Sequence, residues 1–135
     1  MMYSTHNDYT IALICTLLVE AAAARIMLNH THSPLPNPST DLNAYKLSKL
    51  DGHYIVITCL PASIYRTVAV ANVISYIHST FPQLQYGLMV GIRGDIPGNN
   101  NNIQLGDIVI SKPGLNYSRV IQYDYRKVVL GGHFQ

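Results

Sequence analysis

The sequence predicts an α/β fold with a mixed, largely parallel central sheet. Short apolar runs rich in Ile, Leu and Val alternate with longer stretches of helical character, which is the order of elements in βαβ units. Apolar residues make up 48% of the 135 residues and charged residues only 12%, so the chain has ample material for a buried core. Its length suits one domain, residues 1–135.

The first predicted βα unit begins with a continuous apolar run, Tyr9–Cys15, typical of a buried strand. A helix is expected to follow over residues 17–30, since this segment contains four consecutive alanines and several long aliphatic side chains. Residues 31–42 contain three prolines within five positions, and we expect a surface loop there because proline removes amide donors.

A β-hairpin is predicted next. Residues Ala44–Leu50 alternate apolar and polar side chains, and residues His53–Leu60 are almost wholly apolar. The two runs are joined by Asp51-Gly52, a dipeptide that favours a two-residue hairpin turn. We therefore expect the first strand to lie near an edge of the sheet and the second at its centre.

A second helix is predicted over Ile64–Ser79, packed on the sheet by a face with helical spacing. That face comprises Ile64, Val68, Ala71, Ile74 and Ile77.

Three further strands are expected after this helix. The first, Gln85–Ile92, has the composition of a buried strand, and the others are expected at residues 105–112 and 118–125. Residues 131–135 are expected to form a loop. Because two helices cover little of such a sheet, we expect apolar surface to remain exposed.

Composition excludes several classes of partner. The net charge is only +2 and the chain has no basic run, which argues against nucleic-acid binding. No apolar run approaches the ~20 residues of a membrane helix, and no secretory signal is evident at the amino terminus, so a cytoplasmic protein is expected. The six histidines lack metal-site spacing, so no metal is predicted, and Cys15 and Cys59 are expected to be buried structural thiols.

Two features could carry chemistry. Glu20, the only glutamate, follows the first strand, where ligands bind in open α/β sheets; the alternative is a carboxylate that stabilises a helix amino terminus. The loop from Gly91 to Asp95 follows a strand and contains two glycines that would admit a ligand close to the backbone. It matches neither nucleotide-binding glycine motif, and a plain turn is the alternative.

Four segments in order resemble the amino-terminal half of the nucleoside phosphorylase and nucleosidase superfamily. They are DYTIALICTLLVEAAAARIML, HYIVITCLPASIYRTVAVANVIS, FPQLQYGLMVGIRGDIP and IQLGDIVISKP with VIQYDY. The form is that found at the front of multidomain fungal proteins. The resemblance implies a truncated three-layer α/β sandwich that cleaves the N-glycosidic bond of a purine nucleoside or nucleotide. Glu20 matches the carboxylate that activates water, and Gly91, Ile92, Arg93, Gly94 and Asp95 match the substrate-binding loop.

Departures from the family pattern qualify this expectation. Met89 and Ile92 stand where phosphorylases place Arg and Ser as phosphate ligands, so hydrolysis is favoured; phosphate as co-substrate is the alternative, and no other cofactor is implied. The family's ribose-binding segment and base-protonating acid lie in a second half that this chain lacks, so the chain alone should be nearly inactive. It would pair with that carboxy-terminal half or with a second copy of itself.

A different class of function remains open. Arg93, Asp95, Ser63 and Arg66 occupy positions where the family usually has small residues, which favours a degenerate, non-catalytic interaction or ligand-sensing domain of a fungal signalling protein. An unrelated α/β ligand-binding domain is the third reading.

Overall fold

The computed structural model describes residues 3–28, 30–61, 66–92, 98–112, 114–116, 128–129 and 133–134. The chain divides into two compact units, residues 1–93 and residues 94–135. The described part of the first unit holds a five-stranded sheet and two α-helices, and that of the second holds a two-stranded sheet. Within the described segments, no helix combines the length and apolar character needed to cross a membrane.

The sheet of the first unit is mixed. In chain order the elements are β1 (Ile11–Cys15), α1 (Leu18–Ile26), β2 (His30–Thr31), β3 (Lys46–Leu50), β4 (His53–Cys59), α2 (Arg66–Thr80) and β5 (Tyr86–Met89). The strand order is β2-β3-β4-β1-β5, with β1 parallel to both β4 and β5 and with β2, β3 and β4 pairing antiparallel. The predicted α/β class with a parallel centre is confirmed.

The predicted hairpin is also present. Leu50 pairs with His53 across a two-residue turn, and both turn residues have positive φ, 47° at Asp51 and 84° at Gly52. Positive φ at both positions is the type I′ geometry, which Asp and Gly tolerate and whose twist matches that of the strands. β4 lies at the centre of the sheet, as expected, and β3 lies beside the short edge strand β2.

Side chains alternate along β1 between two layers of helix. Ala12 and Ile14 point to the side of α2, where Ile14 packs with Val73 and Leu60 and Ala12 belongs to the cluster that contains Ile77 and Phe81. The other β1 side chains, Ile11, Leu13 and Cys15, face α1 and pack near Ala21, Ala24 and Leu28. The arrangement is helix, sheet, helix, consistent with a truncated three-layer α/β fold.

The buried face of α2 coincides with the predicted one only at Ile77. Val68 and Ile74 are 52% and 47% exposed, and Ala71 is also exposed, whereas Ala69, Val73 and Ile77 are buried. Ile64 lies outside the described residues. Both faces carry apolar side chains, so spacing alone could not select the one that packs; the observed face follows i, i+4 spacing and ends at buried Thr80.

Two isoleucines on α2 give a matched test of this face. We expect Ile77→Ala to lower the free energy of unfolding by about 2–4 kcal/mol, because a 3%-exposed side chain is removed from the core. Ile74→Ala, at a half-exposed position, should cost less than about 1 kcal/mol. Urea unfolding of both variants decides; equal losses would contradict the assigned face.

β5 is exposed rather than buried, contrary to the prediction. Tyr86, Leu88 and Met89 are 64%, 51% and 59% exposed. β5 is an edge strand, and α1 packs over β1 and β4 instead. An open apolar groove between α2 and β5 is lined by residues that include Ile74 and Tyr86. The expected exposure of apolar surface is therefore found at this edge.

The prediction of a strand over residues 105–112 is wrong. Residues 105–112 form no strand, and their aliphatic side chains are exposed, with Ile108 at 88% and Ile110 at 84%. An apolar, β-branched run specifies a strand only when a partner strand pairs with it. Residues 118–125 lie outside the described residues. Within the predicted terminal loop, β7 (His133–Phe134) pairs antiparallel with β6 (Val128–Val129).

The Pro-rich segment is irregular as expected, apart from Thr31 at its start, which belongs to β2. The end of this segment carries a buried acidic residue. Asp41 is only 6% exposed, and its carboxylate accepts hydrogen bonds from Tyr45, Asn43 and Thr80. This carboxylate ties the loop to the residues before β3 and to the end of α2.

Candidate functional site

The candidate site lies where β1 and β5 end side by side. The two strands are parallel, so their carboxyl ends meet at the same edge of the sheet, and α1 begins directly after β1. Glu20 belongs to the first turn of α1 and is buried, with 7% of its surface exposed. Gly91 and Ile92 follow β5, and both are exposed.

The Glu20 carboxylate accepts four hydrogen bonds from residues that the structure describes. Its Oε2 atom receives the Thr16 backbone N–H at 3.0 Å, the Thr16 hydroxyl at 3.0 Å and the Leu17 N–H at 2.9 Å. Its Oε1 atom receives the Ile92 N–H at 2.9 Å. The first three donors belong to the β1–α1 connection and the fourth lies 72 positions later in the chain. The carboxylate therefore bridges the ends of two neighbouring strands.

The local part of this geometry is a helix-capping arrangement. Leu17 is the N-cap of α1, and Glu20 stands at the third helical position, from which glutamate reaches back to the N-cap amide. Leu17 carries no side-chain acceptor, so the reciprocal bond of a full capping box cannot form. The bond from Ile92 has no place in a capping motif, because it comes from another element.

These donors hold the pKa of Glu20 below its ordinary value of 4.5. The Ile92 N–H is the largest cause and the Leu17 N–H the second; burial acts in the opposite direction, and Thr16 adds to the lowering. Glu20 is therefore ionised at neutral pH. Since the folded-state pKa is depressed, its contribution to stability is present above about pH 4.5 and is lost as the pH falls through the folded-state pKa.

Gly91 lies against the carboxylate. A Cβ atom built at this position would be 2.9 Å from Oε1 of Glu20 and 3.2 Å from its Cδ. The glycine loop and the carboxylate, which the sequence singled out separately, thus meet in space. Arg93, Gly94 and Asp95, the rest of the predicted loop, lie outside the described residues.

Sequence reasoning missed Thr16 and Leu17 as partners of Glu20. A Leu17-x-x-Glu20 spacing at a helix start is the available signal, but the usual motif has Ser or Thr at the first position. It also missed the exposure of the apolar residues next to these hydrogen-bonding groups in the sequence. Leu17, Leu18, Val19 and Ile92 are 54%, 81%, 60% and 78% exposed.

The two cysteines lie close to this edge. Cys15 and Cys59 end β1 and β4 and are register partners. Cys15 is buried, as predicted, and Cys59 is half-buried. Burial raises the pKa of both thiols, and the charge of Glu20 raises each further, so both are protonated and weakly nucleophilic at neutral pH. Among the described residues, no three His, Cys, Asp or Glu side chains cluster as metal ligands would.

The chain is similar to part of a larger fungal protein. Over 127 residues it is 42% identical to a nucleotide-binding leucine-rich repeat (NLR)-like protein of Hyaloscypha variabilis. That region covers 93% of this chain, and the chain spans 13% of the length of the relative. No family model matches the chain, and no solved structure matches it. The expected relationship to fungal multidomain proteins is confirmed, and the nucleosidase assignment stays a prediction.

Proposed function

We propose that this chain is the Glu20-bearing part of a domain that hydrolyses the N-glycosidic bond of a purine nucleoside or nucleotide, within a larger signalling protein. The observation that carries the proposal is the position of the Glu20 carboxylate, ionised and bridging the carboxyl ends of β1 and β5. Ligands bind at this edge in open α/β sheets. The resemblance of four ordered segments to the nucleosidase superfamily supplies the reaction class.

The chemistry assigns Glu20 two roles. The water oxygen forms a bond to C1′ while the C1′–N bond breaks, its electron pair moving to the base, and Glu20 takes the proton that the water gives up. Its negative charge also stabilises the positive charge that develops on the sugar. Oε1 accepts one hydrogen bond among the described residues, and a carboxylate oxygen has two lone pairs. Oε1 is therefore the oxygen available to water.

The same hydrogen bonds limit Glu20 as a base. A carboxylate with a lowered pKa holds a proton weakly, so charge stabilisation is its larger contribution. An acid that protonates the leaving base would supply a further factor of ~10²–10⁴. The resemblance places that acid beyond this chain, so we expect little turnover by the chain alone.

A second candidate is a non-catalytic ligand-sensing or interaction domain. The observation that favours it is the satisfaction of Glu20 by four donors of its own chain, which a purely structural carboxylate would also show. The match to an NLR-like protein is compatible with such a role in signalling. This domain would bind a nucleoside or nucleotide without cleaving it.

Base release separates the two candidates. The chain, and the same chain fused to the segment that follows the matched region in the Hyaloscypha relative, would be incubated with adenosine, methylthioadenosine, inosine and ATP, and free base followed by chromatography. We expect release by the fusion, loss of release in Glu20→Gln, and no loss in Asp51→Asn. Asp51 is an exposed carboxylate in the turn before β4, at the amino-terminal end of that strand, whereas Glu20 lies at the carboxyl ends of the parallel strands.

Each outcome decides between the candidates. Release that is equal in the fusion and in its Glu20→Gln variant would overturn the role of Glu20. Ligand binding in calorimetry without release would favour the sensing domain, and the absence of both binding and release would contradict both candidates.

A further inference from the structure

Gly91 is held in place from both sides. The N–H of the preceding residue, Val90, donates to the Ile14 carbonyl at 3.0 Å and extends the pairing with β1. The N–H of the following residue, Ile92, donates to Glu20 Oε1 at 2.9 Å. The backbone at Gly91 therefore cannot move away from the carboxylate without loss of one of these bonds.

The need for glycine at this position is steric and not conformational. Gly91 does not have the positive φ of Gly52 and Gly106. An added Cβ would meet three atoms of the Glu20 carboxyl group, at 2.9, 3.2 and 3.4 Å. The nearest of these separations is shorter than Cβ atoms tolerate, because it lies well inside van der Waals contact.

The carboxylate has little freedom to yield. Its Oε2 atom is held by three donors from Thr16 and Leu17. Rotation away from a side chain at position 91 would therefore break bonds at both oxygens, and the Ile92 N–H would lose its acceptor.

We propose that Gly91 is a positioning residue for Glu20: the missing side chain lets the end of β5 close on α1, so that the Ile92 N–H holds the carboxylate at the edge of the sheet. This rests on the proposed function only in so far as the carboxylate is catalytic. The positioning itself is a property of the folded chain and is measurable without turnover.

A titration of Glu20 tests the proposal. Because the sequence contains a single glutamate, glutamate labelled with ¹³C at the carboxyl group gives one resonance to follow against pH. The wild-type midpoint should lie below 4.5. Gly91→Ala should shift the midpoint upward, since the largest cause of the lowering is the Ile92 N–H. An unchanged midpoint in Gly91→Ala would overturn the proposal.

Gly87→Ala is the matched control. Gly87 lies in β5, four residues earlier, has no positive φ, and an added Cβ there meets nothing within 4 Å. It should leave the Glu20 midpoint where it is in the wild type. Equal upward shifts in Gly87→Ala and Gly91→Ala would mean that any side chain on this strand disturbs Glu20, which would also overturn the proposal.

A double-mutant cycle covers the case in which Gly91→Ala does not fold. Removal of the Glu20 side chain removes the obstacle, so Gly91→Ala should reduce stability less in a Glu20→Ala background than in the wild type. If the single variant is unfolded, the double variant should be folded. A loss that is the same in both backgrounds, or a double variant that is also unfolded while Glu20→Ala folds, would contradict the proposal. Neither readout depends on nucleoside cleavage.

Discussion

Replacing Asp41 by alanine should lower the free energy of unfolding by about 3–5 kcal/mol, measured by urea unfolding. Three donors depend on this buried carboxylate: the Tyr45 hydroxyl at 2.6 Å, the Asn43 N–H at 2.9 Å and the Thr80 hydroxyl. A buried donor left without a partner costs about 1–3 kcal/mol. Thr80 is buried, whereas Asn43 and Tyr45 are half-buried, so water recovers part of the cost at these two residues.

The protonation of Tyr45 maintains its hydrogen bond to Asp41. Burial raises the pKa of Tyr45, and its hydrogen bond with Asp41 raises it further, so the phenol stays protonated as a donor. Asp8 provides the control, because it is an exposed aspartate whose carboxylate accepts the Thr5 N–H at 2.7 Å. Asp8→Ala should cost about 1 kcal/mol or less. The assignment of Asp41 as an anchor is wrong if the two variants lose equal stability.

Tyr9→Ala should reduce stability by about 3–5 kcal/mol, the usual cost of truncating a large core aromatic. Tyr9 is fully buried, and its ring meets Tyr54 and Phe81 edge to face at centroid distances of 5.6 and 5.5 Å. Its hydroxyl lies 2.7 Å from His32 Nδ1. The same hydroxyl donates to the Ser4 hydroxyl at 2.9 Å. Burial lowers the pKa of His32, with the charges of Lys49 and His30 as smaller causes, and so favours its neutral ring.

One variant separates ring packing from hydroxyl bonding at Tyr9, and a second serves as a control at an exposed tyrosine. Tyr9→Phe keeps the ring and should cost about 1–2 kcal/mol. Tyr3→Ala, at an 85%-exposed tyrosine, should change stability by less than about 1 kcal/mol. Thermal unfolding of the three variants would argue against the packing account if Tyr9→Ala were no worse than Tyr9→Phe.

The sequence predicted elements well where the determining interactions are local or the apolar pattern is unambiguous. The Asp51-Gly52 turn follows from the backbone freedom of two residues, and the apolar run from His53 to Leu60 suits only a strand covered on both faces. The central position of β4 followed from its apolar run, and the parallel centre of the sheet followed from the alternation of strands with helices.

Predictions failed where the outcome depends on a distant partner. α2 has apolar residues on more than one face. Ile77 is buried as predicted, but the sheet packs against Ala69 and Val73 and leaves Val68 and Ile74 exposed. β5 has the composition of a buried strand, but it is exposed because it lies at the edge. Periodicity indicates which side chains could be buried, but it does not indicate which other element packs against them.

The candidate site was predictable in part. A carboxylate after β1 and a glycine after β5 belong together because parallel strands end at one edge, and Gly91 does lie against Glu20. The hydrogen bond from the Ile92 amide could not be predicted, because every residue except proline has a backbone N–H and the side chain does not indicate what that N–H binds. The role of Asp41 could not be predicted for a similar reason: its partners Tyr45 and Thr80 converge only in the folded chain.

The ionised Glu20 carboxylate joins the end of β5 to the start of α1 through the Ile92 amide. The most direct measurement follows the ¹⁵N–¹H resonance of Ile92 from neutral pH to about pH 3, across the ordinary range of carboxyl titration. It should shift with a midpoint below 4.5 in the wild type and stay unmoved by this titration in Glu20→Gln. An Ile92 resonance that does not shift with pH in the wild type, or that shifts identically in both proteins, would show that the Glu20 carboxylate does not hold this amide.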